Sequence, residues 1–341
     1  MTTTRPATPD RPVRMMRVLR SRHGDSTRMV RPADFDAEPV AQVAALGEIR
    51  DRDRYVPLCV DWRDARLIYS RWDDERAMTD VPFLYQHQRR GARWLIDVPF
   101  EALDAADRAA HMTPTFIFSI GRCGSTLLSR LLAAAGEQAI SEPDVLTSVA
   151  HFDDDAERGA AEGMRERIVQ HCVAAFEPAC GPAPIIKLRA RCNRAIDVFL
   201  NALPHARYVF MCRDRDDWVR STSRAFGDSG DALADLLKVS VEAFDRMHRA
   251  GVDPELVWYE DLLADPVGAL RRILPRRADL DAYRGAIETA LGQDAQEGSG
   301  LSRTSLSTRT GDAGALAAFD ARWRAIRPEP LLSRYGLERL R

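Results

Sequence analysis

Residues 119–132 read SIGRCGSTLLSRLL and hold the groups best suited to grip an anion. Gly121 and Gly124 let the backbone fold tightly. The amide N–H groups from Arg122 through Cys123 and Ser125 to Thr126 can then converge at the start of an amphipathic helix. Ser125 and Thr126 add hydroxyls, and Arg122 supplies a full positive charge. The lysine of the GxxxxGK[ST] nucleotide-hydrolase loop is absent, which argues against ATP or GTP hydrolysis. A cysteine phosphatase would need an arginine six positions beyond Cys123, whereas Arg130 stands seven beyond it, on another face of the helix. A glycine turn that only packs helix against strand is the alternative for one short motif.

Other polar groups also stand at the ends of apolar runs. Glu142 follows QAIS (138–141) and precedes Pro143, where a carboxylate at a strand end can serve as general base. A solvated loop glutamate is the alternative, and Asp144 and His151 are the nearby substitute bases. Lys187 lies inside the run IIKL. Burying a lysine is expensive unless it is paired, so at the carboxyl end of its strand it would neutralise a phosphate or a transferring group, or else snorkel from an edge strand. In CRDRDDWVRSTS, Arg213 leaves a strand, Asp216 or Asp217 is placed to cap the next helix, and Ser221 falls on its second turn. Arg213 and Ser221 can grip one phosphate from two sides, while Arg215, Arg220 and Arg224 add local positive potential. LVWYEDLLADP reads as a strand, a polar turn, and Asp265 with Pro266 as cap and first residue of another helix. The segment GSGLSRTSLSTRTGDAG (298–314) either closes over a bound nucleotide, with Arg303 or Arg309 reaching a phosphate, or is a flexible linker.

The elements that must position these groups are short, continuous apolar runs at 115–120, 184–188, 206–212 and 256–260, the kind buried on both faces of a parallel sheet. Helical patterns at 125–135, 157–176, 192–202, 216–224 and 231–250 separate them. The alternation predicts right-handed βαβ crossovers and a three-layer α/β domain with its ligand beyond the carboxyl ends of the strands. Upstream, aromatic residues concentrate between 54 and 94. There VPLCVDW and RLIYSRW flank the turn RDA as a β-hairpin, so a small α+β unit is expected, its aromatics serving chiefly as core. Residues 1–31 carry eight arginines against two aspartates and read as a disordered basic tail. The expected organisation is a tail over 1–31, an accessory unit over 32–112 and an α/β domain over 113–341.

Composition narrows the function classes. With 49 basic and 51 acidic residues, net charge −2, no global field draws the protein to nucleic acid or to an anionic membrane, so any anion site is local. No apolar stretch is long enough to span a bilayer and no signal-peptide core is evident, which points to the cytoplasm. The six cysteines lack C-x-x-C spacing, which argues against a disulfide framework or a zinc site.

Two phosphate grips on one α/β sheet suggest a ligand with phosphates at both ends. At these residues the chain resembles the sulfotransferase family that uses 3′-phosphoadenosine 5′-phosphosulfate (PAPS). RCGST matches the family's 5′-phosphosulfate loop; Arg213, Asp217 and Ser221 match its 3′-phosphate element; Tyr259 to Leu262 followed by Asp265-Pro266 match its YEDL and Asp-Pro pair. Lys187 corresponds to its strand-borne lysine. The loop arginine and the place of Glu142 are similar to the branch that includes protein-tyrosine and some bacterial members, with Glu as base. The departures are Arg215, where proline is common, and Cys123, where another small residue is usual. The resemblance implies PAPS as donor and adenosine 3′,5′-bisphosphate (PAP) as product, with no metal required. It assigns Glu142, Arg122 and Lys187 to catalysis. Donor contacts fall to Gly121, Arg122, Cys123, Gly124, Ser125, Thr126, Arg213, Ser221 and Tyr259, and the 298–314 segment, beyond the resemblance, adds Arg303. The acceptor would be a hydroxyl or amine on a small molecule or peptide. A P-loop kinase or nucleotide hydrolase, and a catalytically silent PAP-binding relative, are the rival readings.

Overall fold

Five antiparallel strands in the order β2-β1-β5-β4-β3 build the sheet of one of the two units into which the chain divides. They are β1 (Val13–Ser21), β2 (Phe35–Val43), β3 (Tyr55–Asp61), β4 (Arg66–Arg71) and β5 (Trp94–Pro99). The structure is a computed structural model that describes residues 11–24, 27–103, 109–152, 154–296, 302–309 and 314–341.

Strand β1 corrects the expectation of a disordered tail. Its arginines look like uncompensated charge in sequence, yet its neighbours supply the counter-charge. The register sets Arg17 opposite Glu38 on β2 and Arg14 opposite Asp97 on β5, and both arginines are ion-paired with those partners. Arg66 on β4 shares Asp97 and is itself buried. The remainder of the expected tail, residues 1–10, 25 and 26, lies outside the described residues. The hairpin expected around residues 63–65 is the β3–β4 pair.

This unit comprises Met1–His111 together with Pro143–Gly181, so the boundary does not fall at a single point near residue 112. The excursion 143–181 is spent on the N-terminal sheet. Asp144 accepts the Val30 amide at 2.6 Å, Trp62 Nε1 donates to the Ser148 carbonyl at 3.2 Å, and the Tyr69 hydroxyl hydrogen-bonds His171 Nε2. The helix expected over 157–176 is two segments, Asp155–Ala160 and Arg165–Cys180, with Gly163 at φ +72° between them. Asp144 is fully buried and engaged in this unit, which removes it as a substitute base.

The second unit, Met112–Glu142 with Pro182–Arg341, holds a parallel sheet. Its strands are β6 (Thr115–Ser119), β7 (Ala139–Ser141), β8 (Ile185–Lys187), β9 (Arg207–Cys212) and β10 (Glu255–Trp258), in the order β10-β9-β6-β8-β7. All four neighbour pairs are parallel. Every residue of β6, β7 and β8 is buried, which requires cover on both faces, as expected of a three-layer α/β fold. Phe116 and Phe118 project from one face of β6 onto Phe199, each ring 5.3 Å from it. Because the chain leaves β6 toward β8 and β7 and later returns toward β9 and β10, β6 marks the switch point of the sheet, where ligands of such folds bind. The last apolar run ends sooner than the sequence suggests: β10 stops at Trp258, and Tyr259 opens a helix, Tyr259–Ala264. No helix among the described residues is long and apolar enough to cross a membrane.

Candidate active site

Ser119 ends β6, and the chain turns through Gly121 at φ +75°, Arg122 at +49° and Gly124 at +83° before the helix Ser125–Ala134 begins. Such left-handed residues next to a helix N-terminus turn successive amides toward one point. Gly124 is required twice over. Its φ disfavours a side chain, and a Cβ there would lie 2.3 Å from Tyr259 Cδ2. Arg122 adopts the same region without being glycine, strain of the kind that persists at sites held by their surroundings. The loop is held by Trp218 Nε1, which donates to the Gly121 carbonyl at 2.8 Å, and by Ser119 Oγ, which accepts the Gly121 amide at 3.3 Å. Burial pushes the Cys123 thiol up, which favours its neutral form in this loop.

Lys187 and Glu142 meet at the carboxyl ends of β8 and β7. The Lys187 side chain is 2% exposed, its ammonium is ion-paired with Glu142, and Nζ lies 3.4 Å from Thr126 Oγ1. Lys187 therefore does not snorkel, and Glu142, 15% exposed, is not a solvated loop residue. Glu142 sits at φ +55°, with its amide donating to the Lys187 carbonyl at 2.8 Å and Arg189 Nε 4.0 Å from its carboxylate. A carboxylate in contact with a buried ammonium is aimed by that contact, and its place at a strand end is the position asked of a general base.

Arg213 follows β9. Its guanidinium carbon lies 4.7 Å from the centre of the Tyr259 ring, and its Nε is 3.9 Å from Glu260 Oε1. Burial, reinforced by Asp214, pushes the Glu260 carboxyl up. Burial pulls Arg122 down, and the charges of Arg213 and Arg309 add to the effect, so three guanidinium groups share one field. The Nε atoms of Arg122 and Arg213 are both buried and make no hydrogen bond among the described residues. Buried cationic donors left unsatisfied in this way fit an anionic ligand at each end of the site.

Several expectations are adjusted by these contacts. Asp214 occupies the N-cap position of the helix Arg215–Phe226 without a side-chain capping hydrogen bond, while Asp216 and Asp217 lie in its first turn. Arg215 pairs with Asp216 and Asp320, at 2.7 and 3.2 Å, and Arg220 with Asp217 at 3.4 Å, so neither contributes uncompensated charge. Ser221 is half-buried on the same helix. Asp265 caps its helix as expected, accepting the Gly268 amide at 2.9 Å. Arg303 opens the short helix Arg303–Ser307, and its side chain lies outside the described residues. Arg309 donates to the Ala225 carbonyl at 2.9 Å.

Sequence reasoning missed Trp218 and Gln296 and gave Glu260 no role of its own within the matched Tyr259–Leu262 run. The Gln296 side chain accepts from Arg122 NH1 at 2.7 Å through Oε1, and its Nε2 lies 3.4 Å from Thr126 Oγ1. Nothing in the run GQDAQEG around it signals that role.

Residues 114–280 match a family model described as the sulfotransferase family. Among solved structures, sulfotransferase STF9 from Mycobacterium avium aligns with TM-score 0.45 and 12% identity, over 67% of this chain and 77% of that one. Sulfotransferase STF1 from Mycobacterium tuberculosis aligns with TM-score 0.40 and 15% identity, over 67% and 78%. The curated proteins give no match to the sequence.

Proposed function

Residues 114–280 belong to the sulfotransferase family, and from that premise we propose that the protein moves a sulfuryl group from PAPS to a hydroxyl or amine of a small-molecule or peptide acceptor. The observation that carries the reading is the ion pair of Glu142 with Lys187 beside Thr126, a base and an acid set at the mouth of an anion loop. Bound there, PAPS supplies an activated sulfuryl group on a phosphate leaving group. Arg122, the amides from Cys123 to Thr126 and the two hydroxyls of Ser125 and Thr126 would hold its 5′ end, with Gly121 and Gly124 shaping the turn. Arg213, Ser221 and Tyr259 would hold its 3′ end, and Arg303 or Arg309 would close on it from the 298–314 segment.

Glu142 takes the proton of the acceptor as the acceptor attacks in line. Once protonated, Glu142 no longer neutralises Lys187, whose ammonium then faces the charge that develops on the departing oxygen. Base and acid thus work in sequence from one pair. The rival nucleotide hydrolase requires Mg²⁺ and has no use for a second phosphate grip at Arg213. Calorimetry with PAP, ADP and ATP, each with and without Mg²⁺, tests the donor. Tight PAP binding independent of Mg²⁺ is expected; preference for ATP with Mg²⁺ would replace this reading with phosphoryl transfer. Turnover of PAPS to PAP with an acceptor then separates an enzyme from a silent binder.

A further inference from the structure

The Gln296 carboxamide touches two groups of the glycine turn. Its Oε1 accepts from Arg122 NH1 at 2.7 Å, and its Nε2 lies 3.4 Å from Thr126 Oγ1. The orientation is forced, because a guanidinium offers only donors and must meet the oxygen end of the amide. Lys187 Nζ also lies 3.4 Å from Thr126 Oγ1, so two donors converge on that oxygen and the Thr126 proton is left to donate to a third group. Glu142, Lys187, Thr126, Gln296 and Arg122 therefore form one continuous polar chain from the base to the loop cation.

Arg122 needs such a partner. Burial and the charges of Arg213 and Arg309 disfavour its charged form, and its Nε is buried without a hydrogen bond among the described residues. A carboxylate here would neutralise Arg122 but repel an arriving anion. A neutral amide does neither: it satisfies one N–H of the cation and is a weaker acceptor than a phosphate or sulfate oxygen. The Gln296 amide donates to Asp294 Oδ1 at 3.0 Å, a backbone contact that does not depend on the carboxamide.

We propose that Gln296 is a stand-in acceptor of the donor loop, holding Arg122 and Thr126 in place until an anion displaces its carboxamide. The proposal rests on the reading of this loop as an anion site. It makes Gln296 a positioning residue that weakens anion binding slightly and keeps the empty loop formed.

The test measures binding of inorganic pyrophosphate, as a probe of the loop alone, and of PAP, in full-length wild type, Gln296→Ala and Gln296→Glu. Gln296→Ala should bind pyrophosphate about 3- to 10-fold more tightly, because a competing hydrogen bond to a charged group is gone. Gln296→Glu should bind at least about 10-fold more weakly, because its carboxylate pairs with Arg122. The gain in Gln296→Ala should vanish in an Arg122→Lys background, as coupling between direct partners requires. Thermal unfolding adds a second readout: Gln296→Ala should melt lower than wild type when empty and equal to it when saturated with pyrophosphate. Unchanged or weaker binding by Gln296→Ala, or a gain that persists with Arg122→Lys, would overturn the proposal. If wild type binds pyrophosphate but shows no preference for PAP, the donor reading fails while the pyrophosphate series still decides the role of Gln296. If wild type binds neither, both fall.

Discussion

Glu142 stands at φ +55°, a conformation that a glutamate leaves readily unless its contacts hold it. Its amide and carboxylate are both tied to Lys187, so backbone and side chain are fixed by the same neighbour. Glu142→Gln keeps the size and removes the base. Turnover should then fall by about 10²–10⁴-fold while PAP affinity measured by calorimetry stays within a few-fold. An undiminished rate would end the base assignment, and lost PAP binding would mean that the residue organises the loop. Among the described residues Arg213 has no comparable tether, since the Glu260 carboxylate is 3.9 Å away and its Nε makes no hydrogen bond. Arg213→Ala should lose roughly 1.5–3 kcal/mol of PAP affinity, the range for hydrogen bonds to charged groups, and much less for adenosine 5′-phosphosulfate, which lacks the 3′-phosphate. Equal losses for the two ligands would make Arg213 structural.

Among the elements, the helix Arg215–Phe226 has a task that its own sequence does not advertise. Trp218 is fully buried on it and donates to the Gly121 carbonyl, so the element after β9 clamps the turn after β6. Trp218→Phe keeps most of the apolar contact and removes that one donor. Stability to urea should drop by about 0.5–1.5 kcal/mol, the net worth of one such bond, and PAP binding should weaken with it. A variant equally destabilised at a site remote from the loop should leave PAP binding unchanged; if both variants lose binding alike, the clamp has no specific role. The strand-turn-helix from 115 to 134 was legible because its signals are local, glycines where φ is positive and an apolar run before an amphipathic one. The N-cap position at Asp214 was not, because three neighbouring aspartates satisfy the same capping preference and only the backbone angles choose among them.

For the whole molecule, the N-terminal arginines decide whether residues 11–21 are dispensable. A disordered tail could be removed without consequence, but β1 lies between β2 and β5 and carries ladder hydrogen bonds on both sides. Deleting residues 1–21 should abolish cooperative unfolding of the N-terminal unit, monitored by circular dichroism and limited proteolysis. Unchanged stability would show that the strand is not needed. The sequence by itself determined the parallel α/β class, the glycine turn at Gly121–Thr126 and the candidacy of Glu142, Lys187 and Arg213, because each depends on backbone preference or burial pattern within a few residues. Tertiary structure alone decided which partners the charged side chains meet. Arg14 and Arg17 find their carboxylates on neighbouring strands, residues 143–181 pack with the N-terminal sheet, and Arg122 finds Gln296, 174 positions along the chain. Pairing of this kind has no local signature: a charged side chain reads alike whether water or a distant partner will meet it, and only the fold brings that partner within hydrogen-bond reach.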